Sequence, residues 1–514
     1  MSWNYQRSYD HIRNHLDHMG EIEVAKLTRE ADLEQLLSET TCREIYGEHV
    51  YVQVSNFASL ASDGLYAEDD YKRLIQGIHI YERAVTRIVE GFGGVLVHFQ
   101  GPKLHALFYR PIDDGEQLAV RAVLLQLVLK DFVKTIFNPA FSDCDDFTIA
   151  GGTDLGNAIG TMDGINGDRE LLFVGAPANH AAKIISTAHR LRLTQQVYEA
   201  LPDDLRVICF QTDDGPYQVL PVSSDDLDAL LKAHGLIWNR DVSTGHVEED
   251  KERFPLEDIA YSSAEVGIEV DDLSIFNNKR VLGASIFADV SGFTRYVDEA
   301  TSDEEKQEAL KVFHAIRKET ARVLTGDFNG VCIQYQGDRI QGLFHLPQDD
   351  EEAIAQQVVE AAVGLQSSME HTLKACLPEA KDLRLAIGID MGTTLVSKLG
   401  ARGQRDRICL GEEVERAAQL EERSEGGQIA LSKDVYEVLP DELRKHFTYS
   451  AKVQGYVASD LTAEKVERAA RGSKIYQAGA AVFLTAGAIG LTIGGLKSER
   501  ARSVIPERRY APKE

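Results

Sequence analysis

Two aspartates carry the chemistry this chain is expected to perform. In the run Phe287-Ala288-Asp289-Val290-Ser291-Gly292-Phe293-Thr294, an apolar strand pattern ends in a carboxylate and a Ser-Gly turn then opens a helix. Backbone amides at such a turn point outward and can hold phosphates. Ser291, Gly292, Phe293 and Thr294 are therefore candidate phosphate contacts. A carboxylate beside them suits a hard divalent cation that bridges to the same phosphates. Asp338 follows Gly337 at a hairpin turn signal further on. Taken singly, Asp289 reads as a helix cap and Asp338 as a turn residue. As a pair on neighbouring strand ends, they suit two metal ions that activate a hydroxyl and brace a leaving group.

The elements that must position these residues occur twice. Moved forward by 236 positions, residues 51–192 fall on 287–428 without a net gap. Val95–Pro102 lands on Val331–Asp338, and Gly152-Thr153-Asp154-Leu155-Gly156 lands on Gly388-Ile389-Asp390-Met391-Gly392. The unit is too long for a solenoid repeat and reads as a tandem duplication of one domain. Each copy is patterned as strand, helix, β-hairpin, helix, strand, strand, helix. The spacing predicts a strand over Arg280–Val290, a helix over Glu304–Leu324 and alternating hairpin strands over Gly330–Leu346. This mixture around one sheet predicts an α+β fold. The expected layout is a helical lead-in over 1–45, a first copy within 46–235, an acidic linker over 236–278, a second copy over 279–448 and a tail over 449–514.

Composition narrows the function. Of 514 residues, 43% are hydrophobic and 27% charged, enough for two soluble cores. A net charge of −27 argues against nucleic acid as a partner. The six cysteines are scattered without a CxxC pair, so neither a zinc site nor a disulfide framework is indicated. The polar start, Met1 to Leu16, lacks a signal-peptide pattern and predicts a cytoplasmic protein. Ile475 to Leu496 is 22 residues without a charge, rich in Ala and Gly. It is long enough to cross a bilayer. Its small residues favour a helix or hairpin packed on protein, with weak membrane or partner contact as the alternative.

The second copy resembles a class III nucleotidyl cyclase catalytic domain. Phe287–Thr294 matches the family's first-metal motif, Gly337-Asp338 its second-metal hairpin, Gly388–Gly392 its "GIxxG" strand, and Gly411–Leu420 its late glycine-to-helix segment. The resemblance implies ferredoxin-like βαββαβ domains working as an intramolecular pseudodimer, with no homodimer required. It also implies two divalent cations, Mn²⁺ or Mg²⁺, at Asp289, Val290 and Asp338. In this family the opposite half supplies an Asn and an Arg for the transition state. Copy two holds Glu415 and Gln419 at those positions, whereas copy one holds Asn179 and Lys183. Copy one in turn has Gln53 and Pro102 at the metal positions. One composite site is thus expected to be complete, and its mirror image dead.

The base-reading positions of copy one hold His98 and Leu172, which match neither the adenine nor the guanine pattern of the family. Losing two polar purine contacts lowers purine discrimination steeply. The pattern resembles the pyrimidine cyclases of bacterial Pycsar antiphage defence. These make cyclic UMP or cyclic CMP to switch on a separate effector protein. UTP or CTP is therefore the implied substrate. Arg402 and Arg405 fall where the family places a basic residue near the polyphosphate. An adenylate cyclase with an atypical base pocket and a silent nucleotide-binding sensor are the alternatives.

Overall fold

A computed structural model of the chain describes residues 2–62, 68–163, 170–185, 188–401 and 404–469. After a leading helix α1 (Tyr5–Met19), the first half runs through β1 (Thr41–Val54), α2 (Glu68–Gly91), the hairpin β2 (Val95–Gln100) and β3 (Lys103–Phe108), then α3 (Gly115–Phe132). The long strand β4 (Ile149–Asp163), β5 (Glu170–Val174) and α4 (Ala176–Lys183) follow. Helix α5 (Arg240–Arg253) leads to the second half: β6 (Asn278–Ser291), α6 (Phe293–Asp298), α7 (Asp303–Arg322), β7 (Val331–Gln336) and β8 (Arg339–Phe344). It continues through α8 (Glu351–Ser367), β9 (Arg384–Ala401), β10 (Gln404–Leu410) and α9 (Glu412–Glu422). This is the α+β pattern expected of each copy.

Each half forms a nine-stranded sheet with the same strand order. The pairing register repeats as well. Tyr51 faces Gly152 across β1 and β4, and Phe287 faces Gly388 across β6 and β9. Alternation explains the strands: Val50, Val52 and Val54 of β1 are buried on one face. Helix α3 is buried nearly all round, from Leu118 to Phe132, as a core helix must be.

Both sheets lie within one unit that ends at Ala463. Inside that unit the halves share a core. Leu395, Leu399, Ile408 and Leu410 of the second half join the same buried cluster as Ile75, Ile78 and Phe99 of the first.

Two segments differ from their sequence pattern. The lead-in is not helical throughout: Glu23–Lys26 adds a parallel strand beside β1. Its helix α1 is tied to the second half, where Ser8 donates to Glu319 at 2.6 Å and His11 Nδ1 lies 2.8 Å from the same carboxylate. The stretch read as linker contains α5, bonded to the first half through Asp250. That carboxylate accepts from Arg83 at 3.0 Å and Arg87 at 2.6 Å. Among the described residues no helix is long and apolar enough to cross a membrane. The uncharged stretch Ile475–Leu496 lies outside the described residues.

Candidate active site

The turns that deliver the two aspartates depend on glycine. Asp289 stands near the end of β6, and Gly292, at φ +91°, turns that strand into α6. Asp338 follows Gly337, at φ +73°, at the tip between β7 and β8. Both glycines occupy the left-handed region that a side chain disfavours. Antiparallel pairing of β6 with β8, Ala288 opposite Ile340, then brings the strand end and the hairpin tip together.

Asn179 and Lys183 lie one turn apart on α4, hence on one face. This helix can approach β4 because the strand is glycine-rich. A Cβ on Gly152 would stand 2.2 Å from the Ala181 carbonyl oxygen, and one on Gly156 2.8 Å from Pro177. The glycines of the Gly152–Gly156 run therefore set the distance between the sheet and the helix that carries the pair.

A cavity of about 470 Å³ collects these groups from both halves. The first half contributes His98, Leu172, Asn179 and Lys183 to its walls. Asp289, Val290, Ser291, Gly292, Thr294 and Asp338 come from the second. Asn179 Nδ2 donates to Thr294 Oγ1 at 3.1 Å, a direct bond between the halves. Phe293 is the exception in its run: its ring is buried and stacks 5.5 Å from Phe313, so its side chain serves the core. Arg402 lies outside the described residues, and for Arg405 only the backbone, paired with Gly400, is described.

Loss of water at the cavity wall pushes the Asp289 carboxyl above the usual range, against the charges of Arg339 and Lys183. Asp338 is pushed well above it, first by the same loss of water and then by the charge of Asp289. Two neighbouring carboxylates that both resist ionisation form a donor set that a divalent cation would neutralise. A second acidic group, Glu39 with Asp163 and His314, has ligand atoms within 4.8 Å of one another at the seam between the halves. There the Asp163 oxygens already accept from Arg317 at 2.9 Å and Lys318 at 2.6 Å.

The opposite end of the cavity is aromatic. His105 stacks on Tyr51 at 4.2 Å between centroids, meets His98 edge-on at 5.1 Å, and lies 3.0 Å from His49 between ring nitrogens. Loss of water pushes His98 down to about 3, so its ring is neutral at pH 7, and Gln100 Nε2 donates to its Nε2 at 2.9 Å. Lys103 also lines this end, pushed down to about 8 by loss of water and then by Arg339. Sequence reasoning missed Tyr51, Gln100, Lys103, His105 and Arg339. The available signal was strand periodicity: Lys103 and His105 share a face of β3, two residues apart.

The mirror positions are arranged differently. Glu415 is exposed on α9 and accepts from Gln419 at 3.3 Å, with Gln53 and Pro102 at the counterpart strand end and hairpin tip. No aspartate pair exists there for a cation.

Residues 283–467 match the model of the adenylate and guanylate cyclase catalytic domain. A protein of Pseudomonas aeruginosa described as uridylate cyclase is 28% identical over 468 residues, spanning 88% of this chain and 89% of that one. Another uridylate cyclase, from a Rhizobium species, is 26% identical over 455 residues, 82% of this chain and 83% of its own. Among solved structures, a class III adenylyl cyclase-like ATP-binding protein from Pseudomonas aeruginosa superposes with a TM-score of 0.78 at 26% identity. The alignment covers 91% of this chain and 99% of that one, so the likeness takes in both halves. Enzymes of this class work with divalent metal ions on a nucleotide substrate, which agrees with the paired carboxylates.

Proposed function

Starting from a chain that carries a class III nucleotidyl cyclase domain in its second half, we propose that the two halves together cyclise a pyrimidine nucleoside triphosphate. UTP is the preferred substrate, and the products are the 3′,5′-cyclic nucleotide and pyrophosphate. One observation carries the reading: a single cavity joins Asp289 and Asp338 of the second half to Asn179 and Lys183 of the first. The description of two relatives, each aligned over most of the chain, as uridylate cyclases supports uracil as the base. So does Leu172, an apolar side chain at a base-reading position in the wall beside the Tyr51–His105 stack, which can make no hydrogen bond to a purine.

In this reading Asp289 and Asp338, with the backbone of Val290, hold two divalent cations, Mg²⁺ or Mn²⁺. When bound, such ions lower the pKa of the ribose 3′-hydroxyl and offset charge on the departing pyrophosphate. Asn179, fixed by its bond to Thr294, orients the ribose. Lys183 presents a cation to the charge that develops at the α-phosphate, as a point charge without the fork of an arginine. The 3′-oxygen forms its bond to the α-phosphorus as the bond to pyrophosphate breaks. The nucleophile belongs to the substrate, so catalysis rests on position and charge and needs no attacking side chain. The cyclic product then acts as a second messenger for a separate effector, in antiphage defence.

The test is to incubate the purified protein with Mn²⁺ and each of ATP, GTP, CTP and UTP, and to identify products by mass. Cyclic UMP as the main product is expected. Cyclic AMP would instead side with the ATP-binding description of the solved relative, and no product from any nucleotide would indicate a silent sensor. The inactive mirror site gives a companion prediction. Gln53→Ala should leave the rate within about twofold of the parent, since removing a polar group away from the chemistry changes little. A large loss of rate would show that the mirror side takes part.

A further inference from the structure

The proposed substrate leaves open how uracil is told from cytosine, two bases of the same size. They differ at one edge. Uracil presents an N3–H donor between two carbonyl acceptors, whereas cytosine presents a bare N3 acceptor beside an amino donor. A site that distinguishes them needs an acceptor facing N3 and a donor facing the neighbouring exocyclic group.

Two unassigned side chains at the base end have those properties. Gln100 and Lys103 are direct cross-strand partners in the hairpin β2–β3, and both line the cavity beside His98 and His105. Gln100 spends its amide N–H₂ on the neutral His98 ring, 2.9 Å away, which turns its Oε1 away from that partner as an acceptor. Lys103 Nζ lies 6.0 Å from the centre of the Tyr51 ring, the ring that stacks on His105, with the charges of Arg339, Glu422 and Glu415 also acting on it. An ammonium donates and cannot accept. The counterparts of this pair in the second half are Gln336 and Arg339. Arg339 is differently engaged: it pairs with Glu421 at 3.0 Å and lies over Phe287.

We propose that Gln100 and Lys103 form the uracil-reading pair, with Gln100 Oε1 accepting from N3–H and Lys103 donating to the adjacent carbonyl. Cytosine reverses both partners, setting an acceptor against Gln100 Oε1 and an amino group against the ammonium. A base-reading site rejects such a mismatch strongly because its polar groups are left unpaired. The inference rests on the pyrimidine cyclase reading and adds by which residues uracil is told from cytosine.

The experiment compares kcat/KM for UTP and CTP in the full chain, parent against Lys103→Met and Lys103→Glu. Binding of both nucleotides with Ca²⁺ as the only divalent ion is measured alongside, so that a slow variant still reports a ratio. The parent is expected to favour UTP. Lys103→Met should lower the UTP:CTP ratio about 10- to 100-fold, the worth of one hydrogen bond from a charged donor. Lys103→Glu, which accepts where lysine donates, should move the ratio further toward CTP. Gln100→Leu should lower the ratio in the same direction. Equal loss for both nucleotides, with the ratio kept, would make Lys103 a phosphate contact and overturn the assignment. A parent that prefers CTP would also overturn it while leaving pyrimidine cyclisation standing. A parent that makes only cyclic AMP would instead sink the reading on which it rests.

Discussion

Asp338→Asn is expected to lower turnover of the preferred nucleotide by about a thousandfold or more, and Asp289→Asn by a similar factor. The substitution keeps size and shape and removes one charge. If the residue served only the hairpin turn, turnover would change little, because asparagine is as good a turn residue as aspartate. If it holds a cation, the amide is a far poorer ligand for a hard ion than the carboxylate, and charge compensation at the phosphates is lost. A second measurement separates the two. In the protein stripped with EDTA, loss of water opposes ionisation of both carboxylates, and the charge of Asp289 opposes that of Asp338 further. Removing one should leave the melting temperature unchanged or raise it. Adding Mn²⁺ should stabilise the parent and do so far less in either variant, since an ion stabilises only the state that binds it. A variant that keeps full turnover would show that these aspartates are not the metal ligands. A variant that loses turnover together with metal-free stability would show a damaged fold.

What the sequence disclosed followed from periodicity and duplication. Strand alternation and the repeat at 236 positions led to both sheets, because a copied register keeps the same face buried in each half. The aspartate pair was legible because Gly292 and Gly337 mark the turns that expose it. Lys103 was not, since it follows the lost metal position Pro102 in a hairpin and reads as an ordinary surface lysine. The local hairpin sets it opposite Gln100, and only the packing of the two halves puts both in the wall of the shared cavity. Helix α5 was hidden for another reason: its segment is weakly periodic and acidic, and its docking depends on Asp250 meeting Arg83 and Arg87 of a distant helix. The seam between the halves was also out of reach. Arg317 lies among Lys and Glu residues on α7, a pattern that normally marks a solvated face.

That arginine supports the last prediction. Arg317 is fully buried and makes three bonds, two across the seam and one within its own half. It donates to Asp163 at 2.9 Å and Glu170 at 2.6 Å of the first half, and to the Gly337 carbonyl at 2.8 Å of the hairpin that carries Asp338. Its guanidinium also lies 3.8 Å from the centre of the Tyr335 ring. Arg317→Met roughly keeps the volume and leaves the buried Asp163 with Lys318 but without its buried guanidinium partner. Breaking a buried pair from one side costs about 3–5 kcal/mol, mostly for the stranded charge. The melting temperature should fall accordingly, and turnover in the folded fraction should fall as well, because Gly337 loses its anchor. Arg317→Lys should rescue little, since one ammonium cannot reach three partners held in a fork. Arg317→Met combined with Asp163→Asn should recover part of the stability and little of the turnover. A role confined to stability would return both together. The pH dependence has a definite sign. Burial raises the Asp163 carboxyl, but the His314 hydrogen bond and the charges of Arg317 and Lys318 outweigh it and hold the group far below the usual range. A carboxyl depressed on folding contributes its full stability above its unfolded value, near about 4, and loses it as the pH falls below that value. The parent should therefore lose stability steeply below about pH 4, and Asp163→Asn should flatten that loss. An Arg317→Met protein that melts with the parent and turns over at the parent rate would show that the apolar seam alone holds the halves in register.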